Sequence, residues 1–169
     1  MQPTRRRRSR QEGRMQISRI LFPTDFSHDA EHAFQYALTF AREFGAELHL
    51  LHVIYFPPQT PEYDIGQVID GLVKNAETSL NKLVESVPDP HPIFHMDVQV
   101  GVEHIEITKC AEREKIDLIV MGTRGRTGLS HVFLGSVAER VVRHASCPVL
   151  TVKVPARKGG ETAKGESAT

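Results

Sequence analysis

The sequence predicts an α/β fold: a single open five-stranded parallel sheet with helices on both faces, Rossmann-like in architecture. Three observations lead there. Five short segments rich in β-branched and large apolar residues alternate with four segments of helical periodicity, and strict βα alternation builds a parallel sheet through right-handed crossovers. One of the five, Leu118 to Met121, is a continuous apolar run ended by a glycine, the pattern of a strand buried on both faces. A glycine-rich stretch then joins that run to a helix, and a strand–loop–helix junction of this kind is where such sheets bind anions.

The elements follow in order. Residues 1–14 carry six Arg against one Glu and show no periodicity, so they are expected to form a disordered basic arm. The first strand is predicted over Ile17 to Phe22, ending at Pro23. Ser27 suits a helix cap, with Asp29 placed to complement the dipole. Ala30, Ala33, Phe34, Ala37, Ala41 and Phe44 keep helical spacing up to Gly45, which suits a left-handed cap. Glu47 to Ile54 reads as the second strand and Pro57 to Pro61 as a loop. A second helical stripe, Ile65, Ile69, Leu72, Ala76, Leu80, Leu83 and Val87, stops at Pro88. Phe94, Met96, Val98 and Val100 alternate with His95, Asp97 and Gln99. That period of two predicts a strand with one wet face near a sheet edge. A weaker helix spans about Glu103 to Lys115. After the buried strand and its loop, Val137, Ala138, Val141 and Val142 mark the last helix, and Pro148 to Val152 the fifth strand. Residues 155–169 read as a disordered polar tail, leaving 15–154 as the folded domain.

Composition narrows the function. At 169 residues, 40% hydrophobic and 25% charged, the chain is that of one globular domain. Its net charge of zero is divided: residues 15–152 carry 11 basic against 18 acidic side chains, a net charge of −7. An acidic body argues against nucleic-acid binding by the domain and leaves the arginine-rich arm as the one candidate contact. There is no apolar stretch long enough to cross a membrane. Cys110 and Cys147 form no zinc or redox spacing and read as reduced thiols of a cytoplasmic protein. His28 and His32 share a helical face, and His49 and His52 lie close in sequence. Without an H-E-x-x-H pattern or an evident third ligand, no metal site is expected.

The chemistry-bearing residues collect at the ends of two strands. Pro23, Thr24 and Asp25 follow the first, and Asp25 offers an acceptor-only carboxylate suited to ribose hydroxyls or an adenine amine. Gly122, Arg124, Gly125, Gly135 and Ser136 follow the fourth. Glycines let backbone N–H groups approach phosphate, Arg124 offers charge, and Ser136 and Val137 open the last helix. Met121 is placed to pack on a base. There is no G-x-x-x-x-G-K-[ST] and no G-x-S-x-G, which excludes a P-loop NTPase and a nucleophile elbow. No acidic residue lies between Gly122 and Ser136 to orient water, so Mg²⁺ would be held mainly by nucleotide phosphates.

The spacing Gly122, two residues, Gly125, nine residues, Gly135-Ser136 resembles the ATP-binding signature of the universal stress protein family, as do P-T-D-F-S at Pro23 to Ser27 and D-L-I-V-M-G at Asp117 to Gly122. The resemblance covers roughly Gln16 to Val152. It implies strand order 3-2-1-4-5, which the alternation pattern alone does not give. It also implies an adenine contact at Val53, ATP as ligand, and a homodimer through the fifth strand, where Val149, Leu150 and Val152 form an apolar edge. The function it implies is a nucleotide-dependent stress sensor or regulator with an unknown protein partner and little turnover. The rivals are a slow ATPase or phospho- or nucleotidyltransferase on the same scaffold, and a chaperone-like protein indifferent to nucleotide.

Overall fold

The computed structural model describes residues 16–55, 65–123 and 134–154. The basic arm, the tail and most of the glycine loop, including Arg124 and Gly125, lie outside the described residues. The elements run β1 (Arg19–Pro23), α1 (His28–Phe44), β2 (Glu47–Tyr55), α2 (Ile65–Glu85), β3 (Phe94–Gly101), α3 (Glu103–Arg113), β4 (Leu118–Gly122), α4 (Ser136–His144) and β5 (Val149–Val152). All strand pairs are parallel and the order is β3-β2-β1-β4-β5.

Local chemistry accounts for the boundaries. Ser27 caps α1, its hydroxyl accepting from the Ala30 N–H at 3.3 Å, and Gly45 ends the helix at φ 65° with its N–H donated back to Ala41 and Arg42. Only a left-handed residue can make that return, and glycine does so without a Cβ clash. At the other end of the sheet Asp117 fixes which strands meet. Its Oδ2 accepts from the N–H groups of Ser18 (2.7 Å) and Arg19 (3.0 Å), while its own N–H donates to the Arg19 carbonyl (2.9 Å). One carboxylate therefore clamps the start of β1 to the start of β4, and the carboxyl ends of those strands are brought side by side.

The sheet separates two apolar layers. Ile20, Phe22, Leu48, Leu50, Val120 and Val152 meet α1 and Leu80 of α2 on one face. Leu21, Leu51, Ile119 and Met121 meet Ile107, Cys110 and Ala111 of α3 and Ala138 and Val141 of α4 on the other. Consecutive residues of β1 are thus buried on opposite sides, as expected for an inner parallel strand. Cys110 lies in the second layer, where burial pushes its thiol up to about 11, and Cys147 is half-buried; both are free. No helix among the described residues is long and apolar enough to cross a membrane.

Three expectations need correction. β3 is at the edge, but it does not have one dry and one wet face: Met96 and Val100 are exposed although Phe94 and Val98 pack inward. On the opposite face Asp97 and Gln99 are half-buried, bonded to each other and, for Asp97, to Arg113 at 2.8 Å. α2 covers only part of one face and the long Arg113 side chain reaches over the other. In α4, Val142 points outward, 48% exposed, so the buried stripe there is Ala138 and Val141. In α1, Phe44 is 44% exposed and stacks on Phe40, while Leu38 takes a core position that the periodicity did not single out.

Candidate functional site

A cavity of about 650 Å³ opens beyond the carboxyl ends of β1, β2 and β4, a volume within the range of small-molecule sites. Its position is the crevice where strand order reverses on either side of β1. Of the residues expected at a site, Pro23, Thr24, Asp25, Val53, Met121, Gly122, Gly135, Ser136 and Val137 all line it. Arg124 and Gly125 lie outside the described residues.

The turn after β1 is held by its own side chains. Thr24 is buried; its N–H donates to the Leu51 carbonyl at 2.9 Å and its Oγ1 accepts from the Phe26 N–H at 3.0 Å. Asp25 Oδ1 accepts from the Ser27 N–H at 3.0 Å. Phe26 takes φ 60°, a left-handed conformation unusual for a bulky residue. His52 closes the arrangement: its Nδ1 lies 2.8 Å from the Thr24 carbonyl and its ring 4.7 Å from that of Phe26. A carbonyl only accepts, so Nδ1 carries the proton and donates. Asp25 is thereby both part of the turn and part of the cavity wall.

Val53 has a backbone role that its side chain does not suggest. The Leu51 carbonyl faces β1, which ends at Pro23 opposite Leu51. Two residues on, by the strand's period of two, Val53 turns its N–H and C=O to the same side, where β1 has stopped and the cavity begins. Met121, 6% exposed, belongs to the second core layer and to the cavity wall together.

At the β4 end the glycines separate in role. A Cβ on Gly122 would lie 3.1 Å from the Asp29 backbone C and O and 3.3 Å from the Ala30 nitrogen. Gly122 is therefore required by the close approach of α1, and not by a positive φ. Gly135 is the N-cap of α4, at φ −67° and ψ 154°, with no side-chain cap. Any residue adopts that conformation, so the Gly135 backbone geometry does not demand glycine. Ser136 is the first helical residue and is exposed. The Gly135 N–H donates to the Thr123 carbonyl at 2.6 Å, which returns the chain to the end of β4. The first N–H groups of α4 have no partner within their own helix, and Ser136, Val137 and Ala138 line the cavity. Thr123 Oγ1 is buried there without a hydrogen-bond partner among the described residues.

The described wall carries two carboxylates, Asp25 and Glu103, and no Lys or Arg. Glu103 starts α3. The start of α3 lies beside α4: the ring of the next residue, His104, is 6.3 Å from that of His144. The described side chains of the wall are thus acidic and apolar, and α4 adds backbone donors. Sequence reasoning missed Phe26, His52 and Glu103 as wall residues, together with Asn75 and Ser79 of α2. Leu72 belongs to the apolar stripe of α2, yet it is 44% exposed and faces the cavity. A helical stripe has the same spacing whether it meets a core or a crevice.

Compared with models of known families, residues 16–153 match "Universal stress protein family". The chain belongs to the universal stress protein family. Among individual relatives, Universal stress protein MJ0531 of Methanocaldococcus jannaschii is 38% identical over 143 residues, covering 83% of this chain and 84% of the relative. Universal stress protein MJ0577 of the same organism is 35% identical over 153 residues, covering 80% and 94%. The solved structure of MJ0577 superposes with a TM-score of 0.73 over 83% of this chain and 99% of the other. Universal stress protein UspA from Lactobacillus plantarum gives 0.72 at 28% identity, over 81% and 98%. This universal stress protein therefore has the family's five-stranded sheet from end to end.

Proposed function

We propose that this universal stress protein binds ATP, with Mg²⁺ carried by the phosphates, and acts as a nucleotide-dependent regulator in the cytoplasm that turns its ligand over slowly or not at all. The observation that carries the reading is that the turn after β1, Val53 of β2 and the N-terminus of α4 line one cavity. The buried Thr123 hydroxyl, without a hydrogen-bond partner among the described residues, and the donor-rich α4 end fit phosphate oxygens. Asp25, Val53 and Met121 are assigned to the adenosine; Gly122, Arg124, Gly125, Gly135, Ser136 and Val137 to the phosphates. Universal stress proteins of the same fold, at 20% and 21% identity, have been solved in complex with cAMP and, from Arabidopsis thaliana, with AMP bound. Their ligands supply the comparison arms of a binding assay.

Slow turnover follows from the residues assigned to the phosphates. Phosphoryl transfer needs an oriented nucleophile and groups that bind the transition state better than the ground state. Backbone donors, hydroxyls and arginines hold a triphosphate in its ground state. Asp25 is assigned to the adenosine, and no acidic residue lies between Gly122 and Ser136 to orient water.

The test is calorimetric titration of the nucleotide-free protein with ATP, ADP, AMP and cAMP, with and without Mg²⁺, beside Gly135→Val. The Gly135 backbone accommodates valine, so the variant should fold, losing about 1 kcal/mol as a poorer cap, and should lose ATP binding. ATP at about 100 times Kd should raise wild-type stability by roughly 2.7 kcal/mol. A folded Gly135→Val that binds ATP as tightly as the wild type refutes the site. A single-turnover assay with labelled ATP should show slow or no ADP; rapid turnover lost in Gly135→Val would make the protein an enzyme.

A further inference from the structure

We infer that Glu47, His49 and His95 form a binding site for a divalent transition-metal ion of the zinc type, at the opposite end of the sheet from the cavity. The fold places His49 directly beside His95 in the β2–β3 register, and Glu47 two residues earlier on the same face as His49. Glu47 Oε2 lies 3.2 Å from His95 Nε2 and 3.8 Å from His49 Nε2, and one ligand atom from each residue falls within 4.8 Å of the others. Tetrahedral N/O ligands about 2.0–2.1 Å from zinc stand roughly 3.4 Å apart. The three atoms are therefore within a small side-chain rotation of a common centre. The rings now stack, with centroids 4.4 Å apart; His95 is exposed and can turn out of the stack, leaving a fourth position for water.

A second observation is independent of the spacing. His49 is 9% exposed, yet its Nε2 has no hydrogen-bond partner among the described residues. A buried polar atom normally has a partner, and one without it calls for an explanation. The surrounding charges are otherwise occupied. Asp97 and Glu114 are held by Arg113 at 2.8 Å and 2.7 Å. Arg19 donates Nη1 to the Glu114 carbonyl at 2.9 Å and only grazes Glu47, at 3.9 Å. Burial, and then the charge of His95, lower the pKa of His49, which favours the neutral imidazole that a metal requires. Two histidines and a carboxylate form a ligand set suited to zinc, or to cobalt as its spectroscopic substitute. His49 and Val53 are four residues apart on β2, roughly 13 Å, so metal and nucleotide would not share atoms.

The test uses the full chain, freed of nucleotide and metal, titrated with ZnCl₂ by calorimetry and with CoCl₂ by visible absorption. One equivalent should bind, and Co²⁺ should give the intense bands of a four-coordinate ion. His95→Ala, at an exposed position, should fold normally and weaken binding at least about tenfold, the lower end of what even second-shell losses cost; His49→Gln should do the same. A His28→Ala/His32→Ala variant, which removes a histidine pair elsewhere on the surface, should bind as the wild type does. No stoichiometric binding, unchanged affinity in His95→Ala, loss confined to the His28/His32 variant, or a six-coordinate aquo-type Co²⁺ spectrum would each overturn the site.

Discussion

Replacing Gly122 with alanine tests how the two glycines differ. The added methyl would sit 3.1 Å from the carbonyl carbon and oxygen of Asp29 and 3.3 Å from the nitrogen of Ala30. These are backbone atoms in the first turn of α1, a helix whose Ala30, Ala33, Phe34, Ala37, Leu38 and Ala41 are all in the core. They have no rotamer by which to retreat, so relief requires α1 or β4 to shift by a few tenths of an ångström. Overpacking of that kind costs about 1–3 kcal/mol. No positive φ adds to it, so the cost is wholly steric. For a chain of this size each kcal/mol lowers Tm by roughly 2–4 °C. Urea unfolding of Gly122→Ala should therefore show a lower midpoint at unchanged slope, and a melting temperature lower by about 2–12 °C. Gly135→Ala should unfold within about 1 kcal/mol of the wild type, since its backbone is already in the extended region. A Gly122→Ala protein as stable as the wild type would refute the close-approach argument and return Gly122 to a purely ligand-facing role.

Asp117→Ala strips the acceptor from the Ser18 and Arg19 N–H groups and should cost about 1–3 kcal/mol in denaturant unfolding; a neutral result would show that the clamp is dispensable. The native state takes up a proton at His49 less readily than the unfolded chain does, because its pKa is lowered. The stability this contributes is present above pH about 6.5 and is lost as pH falls below it. A melting series from pH 7.5 to 5 should accordingly show a shallower acid limb for His49→Leu, in which His104, also lowered, still contributes; identical limbs would refute it. We further propose that β5 pairs with its two-fold mate in a homodimer. The Pro148 and Val152 carbonyls accept from β4, so Thr151, of opposite parity, turns its N–H outward. Thr151→Pro should yield a monomer in light scattering with little change in stability, whereas a dimer that survives the substitution would rule out the β5 edge.

Much of the fold was legible because periodicity and caps are local. Ser27, Gly45 and the glycine ending β4 announce themselves by residue type and place. What stayed hidden depends on partners that carry no sequence signal. The clamp on β1 consists of Asp117 and two backbone N–H groups, and any residue has an N–H. His95 stands 46 positions from His49, and only the β2–β3 register shows that they touch. The Gly122 requirement comes from α1, nearly a hundred residues earlier. For the candidate site, the two blocks after β1 and β4 were visible. The wall given by His52, Leu72, Asn75 and Ser79 was not, since Leu72 keeps core spacing and His52 shows its role only through the Thr24 carbonyl.

The short bond from the Gly135 N–H to the Thr123 carbonyl has a consequence for how this protein can diversify. Thr123 and Gly135 are thereby held together, so the sequence between them is a cassette with fixed terminals. Doubling the length of such an excursion costs only about 0.6 kcal/mol in closure entropy, and neither β4 nor α4 has to move to admit it. Insertions, deletions or wholesale exchange of that segment should be borne by a scaffold that does not register them. Selection can then retune what the crevice accepts one loop at a time, leaving the five strands as they are.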